Sequence, residues 1–258
     1  MNYYVMLKMV PDTVEELEVA PDEKSLEAEF LRFKLSDPDE HALEAALLLK
    51  EKHGGTITVV ALDAPEVDDV LFTALAKGAD RAIKLAGELA GVQSFAAAQL
   101  LQTFLLGGGQ TLPVDSLLLL RSQAIDDLEG EIGPFLSDML QVPYVGVVTA
   151  IAITGAELTV TKEFAGGLRG EFSLPLPAVI GIQSAEKPPR YVPIAKVRAV
   201  MKTGKIETVD VAIPETLSRY ATEKMYKPLA AGRAQMFEGD AATVADQIVA
   251  VLAQHSLI

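Results

Sequence analysis

The chain has 258 residues, is 50% hydrophobic and carries a formal net charge of −14. This length can bury one large core, and the acidic charge argues against a surface that binds nucleic acid. The sequence lacks cysteine and has only three histidines, which excludes disulfides and argues against a metal centre. No apolar run approaches the ~20 residues of a membrane span. We therefore predict a soluble cytoplasmic protein without bound metal.

The first two thirds of the chain alternate between patterns of strand and helix. Residues 3–10 form a short β-rich run, and residues 13–35 fit either a hairpin or an excursion. Residues 37–53 predict a helix, because apolar residues recur at helical spacing between an acidic first turn and Gly54. The alternation indicates an α/β fold with a doubly wound, mostly parallel sheet. Further helices are predicted over 66–77, 94–106 and 131–140, and strands over 56–62, 82–85, 115–120, 145–153, 157–163, 170–174 and 178–182.

The last third of the chain has a different composition. Residues 186–235 are rich in proline, lysine and arginine and lack sustained periodicity, so we predict an extended arm that becomes ordered against a partner. A final helix is predicted over 240–252, with Asp240 as its N-cap. The predicted organisation is an α/β core (1–185), a partner-binding arm (186–235) and a C-terminal helical segment (236–258).

Ligands of doubly wound sheets bind at the carboxyl ends of the strands, here residues 8–12, 62–65 and 121–133. The third segment leaves a predicted strand, crosses a polar loop and enters a helix. Its glycines allow close approach of the backbone, and the N–H groups at the helix start suit a phosphate. An ordinary strand–helix joint has the same pattern. The acidic cluster of Asp126, Asp127, Glu129 and Glu131 fits a hard cation or a solvated helix start.

Several stretches of the sequence resemble one protein family. They are VMLKMVPDT, DEHALEAALLLKEK with GGTITVVAL, TALAKGADRAIKL, RSQAIDD with GEIGP, LPAVIGI with PPRYVPIAKVRAVMKTGKI, and QMFEGDAATVADQIVAVL. In this order they resemble the β subunit of electron transfer flavoproteins, and ALAKGADRA and QAIDD are the most specific of them. The resemblance implies a fold similar to adenine-nucleotide-binding domains. It also implies an electron carrier rather than an enzyme, without catalytic residues of its own.

The resemblance further implies cofactors, partners and site residues. An α subunit would hold most of the FAD, and this chain would bind AMP or, in bifurcating members, a second FAD. Thr13 would approach the flavin, while Arg190, Tyr191 and Ile194 would dock flavin dehydrogenases. The nucleotide contacts would be Met6, Lys8, Asp63, Gln123, Ala124, Ile125, Asp126, Gly130, Glu131, Ile132 and Gly133.

The sequence departs from the family pattern where the phosphate is expected. Glu131, with Glu129 nearby, stands where the family often has a neutral polar residue. A carboxylate beside a phosphate repels it, by several kcal/mol in a dry site and by much less in a wet one.

A second interpretation is a stand-alone adenine-nucleotide-binding protein or an ATP-pyrophosphatase-like enzyme of related fold. Such proteins carry a serine- or glycine-rich phosphate loop directly after the first strand. Residues 8–12 occupy that position here and contain no glycine.

Overall fold

The structure, a computed structural model, describes the whole chain except residues 28, 30, 90, 110, 129, 156, 213–220, 230, 231 and 233. Its strands are β1 (Asn2–Leu7), β2 (Met9–Pro11), β3 (Phe33–Leu35), β4 (Thr56–Leu62), β5 (Arg81–Ala86), β6 (Ser116–Arg121), β7 (Tyr144–Thr154), β8 (Glu157–Glu163), β9 (Arg169–Pro175), β10 (Ala178–Ile182) and β11 (Ile206–Asp210). Its helices are α1 (Asp37–His53), α2 (Val67–Lys77), α3 (Ser94–Leu105), α4 (Ile132–Leu140), α5 (Ile194–Thr203) and α6 (Ala241–Gln254).

Within the described residues, the main sheet has nine strands in the order β11-β5-β4-β1-β6-β10-β7-β8-β9. Neighbouring strands from β11 to β7 run parallel, whereas β8 and β9 form an antiparallel ribbon at one edge. All residues of β6 and β10 are buried, as expected for central strands of a parallel sheet whose two faces are covered by helices. The predicted doubly wound, mostly parallel α/β fold is confirmed.

Alternate positions of the strands enter two separate cores. Leu117 and Leu119 of β6 belong to the core that includes α1 and α2, and Leu118 and Leu120 belong to the core that includes α3 and α4. Burial of each such side chain is worth about 1.5–3 kcal/mol. The two packed layers therefore hold the strand ends, and the loops that follow them, in fixed positions.

The order of the strands creates a crevice beside β1. From β1 the chain moves outward through β4 and β5, and then returns to place β6 on the other side of β1. In open α/β sheets this change of direction opens a crevice at the carboxyl ends of the two central strands, and ligands bind there. Here the crevice lies where β1 and β6 end.

The tenth strand completes the centre of the sheet late in the sequence. β10 lies between β6 and β7 and pairs in parallel with both. The β7–β10 pairing is interrupted by a bulge between Ile180 and Ile182. As a result, β6 and β7 are not neighbours although they follow each other along the chain.

The predicted strand over residues 3–10 is wrong in one respect, because the strand is broken at Lys8. β1 ends at Leu7, and β2 pairs antiparallel with β3 in a small second sheet. The break follows from the hydrogen bonds of Lys8, whose N–H donates to Asp39 Oδ2 and whose carbonyl accepts from Ser36 N–H. These bonds turn the backbone away from the main sheet. Between β2 and β3 the chain leaves the main sheet, and an isolated antiparallel bridge joins Val19 to Leu26. The described residues of this segment thus combine features of the two predicted alternatives, a hairpin and an excursion.

The prediction that residues 186–235 lack regular structure is wrong for residues 194–210. α5 packs against α2, and β11 extends the edge of the main sheet beside β5. Arg81 of β5 and Glu207 of β11 join these two strands through a bidentate ion pair, with distances of 2.9 and 2.8 Å. The periodicity of α5 was not recognised because it buries no side chain fully and is rich in lysine and arginine. The core thus extends beyond residue 186.

The predicted C-terminal helix is confirmed as α6. Asp240 is its N-cap, and Asp240 Oδ1 accepts a hydrogen bond from the Thr243 N–H at 2.9 Å. No residue of α6 is buried. In the part of the chain that the structure describes, no helix is both long and apolar enough to cross a membrane.

Candidate nucleotide and docking sites

The carboxyl ends of β1 and β6 bring two predicted site residues together. Lys8 follows β1 and Asp126 lies in the loop after β6, and Lys8 Nζ is 2.7 Å from Asp126 Oδ1. Asp63, after β4, lies near another cation, with its Oδ1 at 3.9 Å from Lys84 Nζ. Because Asp126 compensates the charge of Lys8, a bound phosphate would have to compete with that carboxylate.

Asp39, in the first turn of α1, ties these two strand ends to each other. Its Oδ1 accepts from Arg121 N–H at 3.0 Å, and its Oδ2 accepts from Lys8 N–H at 2.9 Å. The Arg121 guanidinium lies 3.5 Å from the same carboxylate. Burial raises the pKa of Asp39 to about 6, and the charge of Arg121 and the backbone N–H groups oppose that effect. The floor of the crevice therefore contains a buried ion pair that the sequence did not predict.

The loop after β6 folds back on itself in the QAIDD segment. Ala124 and Asp127 exchange backbone hydrogen bonds of 3.1 Å in both directions. The turn buries Ala124 and leaves Ile125 58% exposed. Gln123 is exposed as well. The loop therefore presents two of the predicted nucleotide contacts to solvent beside the crevice.

Asp127 is the residue of this loop that the sequence-based site missed. It is only 7% exposed, and its Oδ2 accepts a hydrogen bond from Ser94 Oγ at 2.5 Å. Its Oδ1 is buried and has no hydrogen-bond partner among the described residues. A buried carboxylate oxygen without a donor is costly. Its position in the QAIDD motif could have indicated Asp127, but of the two aspartates only Asp126 was predicted as a nucleotide contact.

Glycine is required at position 130, where the loop turns towards α4. Gly130 has φ +64°, and a Cβ at this position would overlap the Ser122 carbonyl oxygen. Side chains rarely adopt this backbone conformation. The backbone at Gly130 thus makes a close contact, as predicted, but the contact is with the segment that directly follows β6 in the same chain. Glu129, predicted to lie nearby, falls outside the described residues.

The amino end of α4 has both favourable and unfavourable features for an anion. N–H groups in the first turn of a helix have no partner within that helix, and they attract anions. Pro134 in this turn lacks an N–H group, which leaves the Ile132 and Gly133 groups as donors. Glu131 precedes the helix and makes no side-chain cap hydrogen bond. Its carboxylate interacts favourably with the helix dipole but opposes a phosphate at the same point.

The segment after β10 is fixed to α1 by Arg190. The guanidinium contacts Glu44 through Nε and Nη2 at 2.8 to 3.1 Å and Glu51 through Nη1 at 2.6 Å. The Arg190 N–H also donates to Glu44 Oε2 at 2.9 Å. Burial would raise the pKa of Glu44, but the hydrogen bonds and charge of Arg190 lower it overall. Arg190, predicted as a docking contact, therefore has its guanidinium engaged within this chain.

The two other predicted docking residues lie on the surface. Tyr191 is 82% exposed and Ile194, the first residue of α5, is 65% exposed. Large apolar side chains at this exposure, next to an anchored segment, suit an interface. Thr13, predicted to face the flavin, is exposed in the turn that follows β2.

Comparisons with known proteins identify the family. A family model for the electron transfer flavoprotein domain matches residues 28–214, which is more than half of the chain. The chain is 26% identical to an electron transfer flavoprotein subunit beta of Bacillus subtilis over 100% of both chains. It is 31% identical to the Clostridium acetobutylicum subunit beta over 81% of this chain and 79% of that one. The Dictyostelium discoideum subunit beta is 30% identical, over 83% and 82%.

The chain belongs to the electron transfer flavoprotein β-subunit family. This confirms the resemblance inferred from the sequence. Two other predicted site residues of this β subunit, Met6 and Ile132, are buried in the core beside α3 and α4. Their side chains therefore support the candidate site from inside the core. The roles assigned to individual residues stay predictions.

The parts of the candidate site differ in character. Asp127 Oδ1, in the loop after β6, is buried and has no hydrogen-bond partner among the described residues. At the phosphate end, Glu131 and the compensated Lys8 work against an anion, while the N–H groups of α4 favour it. Among the described residues, no group of three or more acidic or histidine side chains could hold a metal ion.

Proposed function

We propose that this chain is the β subunit of a heterodimeric electron carrier. It pairs with an α subunit that holds most of the FAD, and the complex carries electrons between flavin dehydrogenases and a downstream acceptor. The observation that carries the proposal is the full-length similarity to proteins named electron transfer flavoprotein subunit beta. The role is that of a carrier, and the bound flavin supplies the redox chemistry. Its location in the cytoplasm stays a prediction from composition.

The nucleotide expected in this subunit is AMP. The Ile132 and Gly133 N–H groups would face the phosphate. Gln123, Ala124 and Ile125 would border the adenosine, with Lys8 and Asp126 closing the site at the end of β1. AMP supplies no redox chemistry, so its binding would only order the crevice. A second FAD fits this site less well, because its pyrophosphate would bring more negative charge beside Glu131.

Docking of dehydrogenases is proposed at the start of α5. Ile194 and Tyr191 present apolar surface there, and the contacts of Arg190 with Glu44 support the segment that carries them. Interface energies usually concentrate in a few such anchors. Thr13 is proposed to lie on the flavin side of the complex, close to the α subunit.

The proposal is tested by producing the chain together with the α subunit encoded beside it. The purified complex is denatured with acid, and released FAD and AMP are counted by mass spectrometry. One FAD and one AMP per heterodimer is the expected result. Two FAD per heterodimer would indicate a bifurcating carrier, and FAD alone would show that the β site is empty. A chain that forms no complex and carries no flavin would contradict the proposed function.

A further inference from the structure

The ring of Tyr144 lies in a slot formed by three glycines. Tyr144 is the first residue of β7, and its side chain passes Gly146 on the same strand, Gly181 on β10 and Gly133 on α4. A Cβ at Gly146 or Gly133 would overlap the tyrosine ring or hydroxyl, and a Cβ at Gly181 would lie 2.6 Å from the hydroxyl oxygen. Three positions on three elements thus leave space for one side chain.

This slot lies at the phosphate end of the candidate nucleotide site. Gly133 belongs to the first turn of α4, and the Tyr144 hydroxyl oxygen would be 3.0 Å from a Cβ placed on it. Gly181 is one residue from the end of β10, and its carbonyl accepts from Ser122 Oγ at 2.9 Å. Ser122 directly follows β6, so the tyrosine hydroxyl lies between the carboxyl edge of the sheet and the amino end of α4.

The bulged backbone beside the slot is itself unusual. Val147 has φ +62°, a conformation that is a genuine outlier for a β-branched residue. Its N–H donates to Ser122 Oγ at 3.0 Å, which fixes β7 next to the loop that enters the site. Bulges of this kind often lie beside functional sites and redirect side chains. The local backbone thus holds Tyr144 in one position under α4.

The hydroxyl of Tyr144 is available as a donor. No hydrogen bond of this hydroxyl is present within the described part of the chain, and the side chain is only partly buried. Burial raises the pKa of Tyr144, so the hydroxyl keeps its proton at neutral pH. The backbone donors of α4 face the same region, and they are few because Pro134 has none.

We propose that Tyr144 is a specificity-determining residue, whose hydroxyl donates a hydrogen bond to the phosphate of a nucleoside monophosphate bound at α4. The inference rests on the proposed nucleotide site and adds to it. The Tyr144 hydroxyl and the N–H groups of Ile132 and Gly133 are donors close to one another, and a phosphate monoester offers the acceptor oxygens that match them. Adenosine lacks the phosphate and would not use these donors.

The test compares AMP with adenosine. The complex of this chain with its FAD-loaded α subunit is stripped of nucleotide, and both ligands are titrated by calorimetry. Tyr144→Phe removes the donor and keeps the ring in its slot. It should weaken AMP binding at least about tenfold, as expected for a lost hydrogen bond to a charged group, and leave adenosine within about twofold. Gly146→Ala, which displaces the hydroxyl, should show the same selective loss.

Tyr4→Phe is the matched control, because Tyr4 lies near the amino end of β1 and outside the candidate site. This variant should bind both ligands as the unaltered complex does. Unchanged AMP affinity in Tyr144→Phe would overturn the inference while leaving the nucleotide site in place. Equal weakening of AMP and adenosine would also overturn it, since that pattern indicates packing. If the unaltered complex binds neither ligand, the nucleotide site and the role of Tyr144 both fail.

Discussion

At the scale of single residues, Asp39 fixes the edge on which the candidate site lies. It is fully buried, and its carboxylate accepts from the backbone N–H groups of Lys8 and Arg121, which belong to two different strand ends. The partner guanidinium of Arg121 is also buried, and its Nε has no hydrogen-bond partner among the described residues. Such buried pairs contribute little net stability but are costly to break.

The pKa of Asp39 leads to a pH-dependent prediction. Because it rises from 3.8 to about 6 on folding, the folded state binds the proton more tightly than the unfolded state. The contribution of Asp39 to stability is therefore complete below pH 3.8 and declines as the pH rises through about 6, by up to roughly 3 kcal/mol. Asp39→Asn does not titrate. Urea unfolding at several pH values should show the advantage of the original chain over Asp39→Asn falling across this window, and a constant difference would contradict it.

Glu131 is the residue that most opposes a nucleotide phosphate. Glu131→Gln should strengthen AMP binding by about fivefold, because one charge at about 4 Å in a solvated site is worth roughly 1 kcal/mol. The gain should shrink in high salt as the charge is screened. Calorimetry at two salt concentrations measures both effects. Glu238→Gln, an exposed glutamate beside α6, is the control. Weaker AMP binding in Glu131→Gln would show that this carboxylate contacts the nucleoside instead.

At the scale of elements, Arg190 links α1 to the segment before α5, and the Ala185 N–H adds a hydrogen bond to His41 Nδ1. Arg190→Ala would remove the guanidinium donors of the buried Glu44 carboxylate and keep only the backbone N–H of residue 190, which should lower the free energy of unfolding by about 1–3 kcal/mol. Arg190→Lys should recover only part of the lost free energy of unfolding, because lysine cannot reproduce the bidentate geometry. Chemical denaturation measures both. Arg198, exposed on α5, provides the control Arg198→Ala, and equal effects of the two alanine variants would argue against the anchor.

The boundaries of several strands could be predicted from the sequence alone. The predicted ranges of β4, β8 and β10 agree with the structure, because apolar or alternating runs there are bounded by clear turn residues. α5 and β11 were missed because their order depends on contacts distant in sequence, with α2 and with Arg81. Asp127 and Tyr144 were missed for a related reason. Neither the unpaired oxygen nor the three-glycine slot exists until separate elements are packed together.

At the scale of the whole molecule, the core extends to residue 210 and the exposed arm is shorter than the sequence suggested. The described residues 221–229 lie in no helix or strand, and Lys224 and Lys227 pair only with glutamates of the excursion after β2. Such surface pairs are worth about 0–1 kcal/mol. We therefore expect the arm to be open to protease in the isolated chain.

Limited proteolysis tests this division of the chain. Trypsin should cut the isolated chain after Lys224, while cleavage after Lys202 and Lys205, at the end of α5 and before β11, should be slower. Addition of the α subunit should protect the arm. Mass spectrometry of the fragments gives the cleavage sites. Rapid cleavage around residue 203 in the isolated chain would contradict the assignment of α5 and β11 to the core, and a resistant arm would contradict its need for a partner.

The position of β10 between β6 and β7 affects how the protein can assemble during synthesis. β6 and β7 emerge first, yet neither can complete its pairing until β10, some sixty residues after the start of β6, has been made. Two hydrogen-bonding edges in the middle of the sheet therefore stay open in the growing chain. Non-local parallel pairing is slow and exposes strand edges to aggregation. The growing chain is therefore expected to expose these strand edges until β10 has been made.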